Sequence, residues 1–90
     1  MQNNQIDTLR KMIDATDTEL LAILTQRMGI SREIGAYKRA HGITPLDKER
    51  WQELLDARVA EGTAMGLSPK FVEKLYTLIH EASLAEQEHI

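Results

Sequence analysis

Ninety residues allow one domain at most, spanning residues 1–90, and a chain this short buries only a modest core by itself. Apolar residues are 42% and charged residues 28%, the balance of an ordinary water-exposed globular protein. A net charge of −3 argues against a nucleic-acid partner, although net charge says nothing about local clustering of cations. With no cysteine, disulfides, thiolate chemistry and cysteine-ligated zinc are excluded. His41, His80 and His89 are too scattered to point to a metal; His41 and His89 are expected near helix ends and His80 within a helix. No apolar run approaches the ~20 residues of a membrane span. Met1 to Gln5 has neither the basic nor the apolar stretch of a signal peptide, so a cytoplasmic location is expected.

Three helices are predicted, and no alternating strand pattern of useful length competes with them. The first runs from about Gln5 to about His41. Asn3 or Asn4 caps it, and Ile6, Leu9, Ile13, Leu20, Ile23 and Leu24 recur at helical spacing, followed by Ile30, Ile34 and Tyr37. Gly42 suits a left-handed stop. The second opens at Thr44-Pro45-Leu46-Asp47, with Thr44 as N-cap, Pro45 at the first helical position and Asp47 in the first turn, and runs to Gly66. The third opens at Ser68-Pro69 by the same device, with Phe71, Leu75, Leu78, Ile79 and Ala82 on its inner side.

The length of the first helix carries information. About 36 residues at ~1.5 Å each span ~54 Å, whereas a compact domain of this size has a radius of gyration near ~12 Å. The helix must overhang, and its apolar stripe continues over most of the overhang. Two shorter helices cannot cover all of it. A second copy related by two-fold symmetry is the simplest cover, giving an all-α, intertwined homodimer. The alternative is a helix that breaks near Gly29 or Gly35 and folds back into a four-helix bundle.

Several polar residues share faces. Arg27 and Lys38 stand ~20° apart around the first helix, whereas Arg10 is roughly 100° off that face. Arg10 cannot easily serve the same cleft within one straight helix; a symmetric partner would present it there. Ser83 and Gln87 share a face of the third helix, and Asp47, Arg50 and Trp51 share one at the start of the second. Several cations, two neutral hydrogen-bonders and one acid suit a small dicarboxylate, because the planar arginine fork binds both carboxylate oxygens. No nucleophile–base pair, metal cluster or Gly-rich phosphate loop accompanies them. The plainer reading of each residue is a solvated helix position, a capping acid for Asp47 and a core anchor for Trp51. Residue physics alone stops at a helical dimer that binds a small anion.

The run Ile6-Asp7-Thr8-Leu9-Arg10, Ile13-Asp14, Asp17 and Leu20-Leu21 through Leu24 is similar to the opening of the helical chorismate mutases. So are Gln26-Arg27-Met28, Glu33-Ile34-Gly35, Lys38, Asp47-Lys48-Glu49-Arg50 and Ser83-Leu84-Ala85-Glu86-Gln87, in that order and spacing. Single elements are weak; the ordered set covers nearly the whole chain. The resemblance implies an isomerase that converts chorismate to prephenate, in phenylalanine and tyrosine biosynthesis, by an intramolecular Claisen rearrangement. It needs no cofactor, proton transfer or covalent intermediate. It also implies roles. Arg27 and the other subunit's Arg10 bind carboxylates, Lys38 and Gln87 donate to the ether oxygen, Asp47 accepts from the ring hydroxyl, and Arg50 and Ser83 support the carboxylates. One position departs: the family often has Glu directly after the arginine matching Arg50, where this chain has Trp51, which either packs against the substrate ring or lines the pocket.

Two rivals stand beside this reading. One is elimination of pyruvate from isochorismate on the same fold, an activity that also lacks the acid at the Trp51 position. The other is a non-catalytic helical dimerisation or regulatory module, fused to or associated with an aromatic-pathway enzyme. The full cationic set argues against the second, because burying it without a ligand is costly.

Overall fold

The computed structural model describes residues 2–88. His89 therefore falls outside the described residues. The architecture is all-helical: α1 spans Gln2–Ala40, α2 Lys48–Ala64 and α3 Pro69–Glu88. No helix among the described residues is long and apolar enough to cross a membrane.

The first helix runs unbroken for 39 residues, straight through Gly29 and Gly35, so the folded-back bundle is ruled out. It begins earlier than predicted. Asn3 and Asn4 both lie inside it, beyond the cap position, and the Asn4 carbonyl accepts the Thr8 hydroxyl at 2.8 Å. It ends where expected, at Gly42, whose φ of 66° is open to glycine at no steric penalty. The Ile43 amide then bonds back to the Lys38 carbonyl at 2.7 Å, closing the end of the helix.

The second helix starts later than the sequence suggests. Two capping signals compete there, Thr44-Pro45 and Asp47. Asp47 wins: its backbone is extended (φ −120°, ψ 102°) and its Oδ1 accepts the Arg50 amide at 3.1 Å. Thr44 is not the N-cap, Pro45 lies in the connection, and Asp47 precedes the first turn. The helix stops at Ala64, two residues short of Gly66, which takes φ 94°. At α3 the expected device holds: Ser68 Oγ accepts the Phe71 amide and the Ser68 carbonyl accepts that of Val72.

α3 packs against both α1 and α2, which do not pack on each other among the described residues. Two glycines mark where backbones approach most closely. Gly62 of α2 faces Val72, and Gly35 of α1 faces the backbone of Gln87. The face of α3 that turns inward is Val72, Ile79 and Ser83. The inner side predicted from the sequence was mostly the wrong one: Phe71, Leu75, Leu78 and Ala82 are exposed, and only Ile79 is buried. These four form a second stripe at helical spacing that nothing in the chain covers.

The shape is long and thin, 62 × 27 × 14 Å, with a radius of gyration of 17.1 Å against the ~12 Å of a compact chain this size. Val72 and Ile79 are the buried large apolar side chains. Ile6, Leu9, Met12, Ile13, Leu20, Leu21 and Ile23 all stand exposed on the first half of α1.

Candidate active site

Where the second half of α1 crosses α3, and α2 closes the side, lies a cavity of about 410 Å³. Its size is that of a small-ligand pocket. Arg27 and Lys38 enter from α1, Asp47 and Trp51 from the start of α2 with Arg50 beside them, and Ser83 and Gln87 from α3. Seven of the eight residues singled out in the sequence thus line one cavity. Arg10 does not. It sits on the bare half of α1, 73% exposed, with Asp7 at 4.0 Å as its nearest acid.

The cations are held by specific partners. Arg27 Nη1 donates to the hydroxyl of buried Ser83 at 2.6 Å, which fixes the guanidinium across the α1–α3 crossing. A guanidinium has five N–H donors in a planar fork, so most remain for a ligand. Lys38 Nζ donates to the Pro45 carbonyl at 2.6 Å and to Gln87 Oε1 at 3.3 Å. Both bonds have a consequence. With its amide oxygen turned to the lysine, Gln87 presents its NH₂ group elsewhere. With two of three ammonium protons engaged, Lys38 keeps one. The pair therefore keeps donors free beside the cavity, one N–H on Lys38 and the NH₂ of Gln87. Beside the pocket, Arg32 pairs with Glu86 at 3.0 Å and helps pin α1 to α3; as a largely exposed pair it contributes little energy.

Two polar lining residues were not singled out in the sequence, Ser31 and His80. His80 stacks on Trp51, with ring centroids 3.9 Å apart and planes 10° from parallel. Burial pushes its pKa below the ordinary histidine value; the nearby Arg27 charge adds to that and Glu81 opposes it. A neutral imidazole on an indole thus makes a flat, uncharged wall. No spacing rule reveals such a pair, because the two residues meet only through the fold. Trp51 is half-buried and lines the pocket rather than anchoring a core.

Ser83 Oγ accepts from Arg27, and no hydrogen bond among the described residues joins it to His80. No group of three or more His, Asp or Glu converges among them. The fold and site define a helical protein with a small cavity lined by Arg27, Lys38 and Arg50, a cationic set whose chemistry suits a small anion. The chain belongs to the chorismate mutase type II family, whose pattern it matches over residues 9–88. It is 33% identical to a 4-amino-4-deoxychorismate mutase of Streptomyces pristinaespiralis over 94% of this chain and 67% of that protein. It is 32% identical to a bifunctional chorismate mutase/prephenate dehydratase of Escherichia coli over 94% of this chain, but spans only 22% of that protein. A second 4-amino-4-deoxychorismate mutase, from Streptomyces venezuelae, is 28% identical over 87% of this chain and 76% of its own length.

Proposed function

We propose that the chain is a single-domain chorismate mutase, working as a cytoplasmic two-fold symmetric homodimer that rearranges chorismate to prephenate. The reaction breaks the ether C–O bond and forms one C–C bond within the same molecule, so no proton, electron or leaving group needs a carrier. Two things lower the barrier. Holding the enolpyruvyl arm over the ring removes conformational freedom beforehand. Donors aimed at the ether oxygen stabilise the negative charge that grows there.

The observation that supports this reading is the Lys38–Gln87 bond at 3.3 Å, which brings the two residues assigned to the ether oxygen together in the cavity. Arg27, braced by Ser83, supplies the carboxylate grip at the α1–α3 crossing, with Arg50 on the α2 side. Asp47 accepts from the ring hydroxyl through the carboxylate oxygen not used in capping α2. Lys38 has most to do in the transition state, since charge on the ether oxygen is larger there than in the ground state.

Arg10 enters from the second copy. Along α1 it lies ~25 Å from Arg27, beyond reach of its own pocket. Two antiparallel copies of α1 crossing near Thr18 would set Arg10 of the partner subunit beside Arg27. The same arrangement would cover the exposed apolar residues of the first half of α1, and it leaves the 71-75-78-82 stripe of α3 facing the second chain. Mixing the purified protein with chorismate and following prephenate tests the activity; a folded protein that forms none refutes it.

A second reading concerns the ring substituent. Asp47 is the one acid lining the cavity and Trp51 offers an aromatic face beside it, and both attract an ammonium group. Two relatives of comparable length are 4-amino-4-deoxychorismate mutases. Faster turnover of the 4-amino compound than of chorismate would favour this reading.

A further inference from the structure

Where α1 and α3 cross, their backbones touch through Gly35. A Cβ placed on it would lie 2.6 Å from Gln87 Cα, 2.7 Å from its carbonyl oxygen and 3.0 Å from its carbonyl carbon. Ordinary contact begins at 3.4 Å, and these three atoms are backbone, which cannot swing aside as a side-chain tip does. Gly35 has an ordinary helical backbone, so glycine is not required there for its conformation. What the position requires is the missing volume.

Lys38 stands three residues further along α1, on the neighbouring turn, and meets the side chain of Gln87. That bond is already 3.3 Å long, at the far end of useful N–H···O geometry. Relieving the overlap at the Gly35 Cβ position displaces Gln87 relative to α1 by several tenths of an ångström, and a lengthening of about 0.3 Å is enough to carry the pair to the 3.6 Å at which no bond remains. We infer that Gly35 is a positioning residue for the reaction: by having no side chain, it sets the separation of Lys38 and Gln87 and so keeps both donors on one oxygen. This rests on the role proposed above for those two residues.

The second glycine of α1 supplies the control. A Cβ on Gly29 would meet only the tip of Arg32 at 3.6 Å. Alanine is the better helix former at both sites, so neither Gly35→Ala nor Gly29→Ala weakens α1 itself. The contact at Gln87 lies one residue from the end of α3, so the rest of the fold has no reason to yield.

The experiment compares the wild type, Gly35→Ala, Gly29→Ala, Gln87→Ala and the Gly35→Ala/Gln87→Ala double variant, each checked for helicity by circular dichroism. Gly35→Ala should keep its helicity and lose about 10- to 100-fold in kcat, with KM changed far less, because the Arg27–Ser83 bond lies one helical turn away and does not pass through the displaced pair. Gly29→Ala should match the wild type. In the Gln87→Ala background the same glycine change should cost less than about threefold, because the group it displaces is already gone. Normal kcat in Gly35→Ala, a full and additive loss in the double variant, or a Gly35→Ala chain that no longer folds would each overturn the inference. The wild-type rate in the same assay bears on the proposed function, and the ratios between variants bear on Gly35.

Discussion

The two halves of α1 have much the same apolar rhythm, but only one of them is pinned to the rest of the chain. From Leu24 onward the helix is pinned by Arg27 to Ser83, by Arg32 to Glu86 and by Gly35 to Gln87, and it carries one wall of the pocket. Before Leu24 every described side chain is exposed, among them Ile6, Leu9, Ile13, Leu20 and Ile23. An apolar stripe therefore states a demand for burial without saying who meets it. In the second half the chain's own α3 meets it only in part: Ser31 and Gly35 are buried against it, while Ile30, Ile34 and Tyr37 stay exposed. In the first half the second chain of the proposed dimer meets it, and that half then delivers Arg10 as well as an interface.

The largest effect should come from breaking the packed half chemically while leaving it folded. Lys38→Ala should lower turnover by two or more orders of magnitude with helicity intact, measured as initial rates of chorismate loss. Near-normal turnover in a folded variant would remove Lys38 from its role. The next effect sets one half against the other. Arg10→Ala and Lys38→Ala should each be nearly inactive alone. Refolded together, half of the dimers are mixed, and each mixed dimer has one site with Arg10 from one chain and Lys38 from the other. About a quarter of wild-type sites should return. No recovery would dissolve the contrast between the halves and leave Arg10 without a function.

The smallest effect tests the wall opposite α1. The pKa of His80 lies below the ordinary 6.5 in the folded chain, so the unfolded chain binds that proton more tightly. Its contribution to stability is complete above pH 6.5 and declines as pH falls through the lowered value. Between pH 7 and pH 5 the melting temperature of the wild type should drop by about 1 to 3 °C more than that of His80→Phe. Parallel melting curves for the two proteins would remove His80 as the source.

What the sequence revealed and what it hid divide along physical lines. Local signals were readable. Gly42 stops a helix because of its own backbone, and Ser68 caps the next by a bond to a residue three positions on. The start of α2 misled because Thr44 and Asp47 both resemble caps, and choosing between them depends on the fold: the Pro45 carbonyl is taken by Lys38. The inner face of α3 misled because that helix has two apolar stripes, and periodicity counts both alike. Seven of the eight singled-out site residues gather at one cavity because each is placed by helical phase. His80 stayed hidden because its significance lies in stacking on a residue of another helix.

The placement of α3 between the other two helices also sets an order of assembly. Gly62 and Val72 are ten residues apart along the chain, whereas Arg27 and Ser83 are 56 apart and Lys38 and Gln87 are 49 apart. Closing the longer loops costs about 1.5 kcal/mol more in chain entropy than closing the α2–α3 hairpin. The hairpin is thus the early structure, and docking of α1 comes late. The cationic wall of the pocket is absent until that last step. A bound dianion bridging the two sides would act on the docking step itself, holding shut the junction that opens first when the chain begins to unfold.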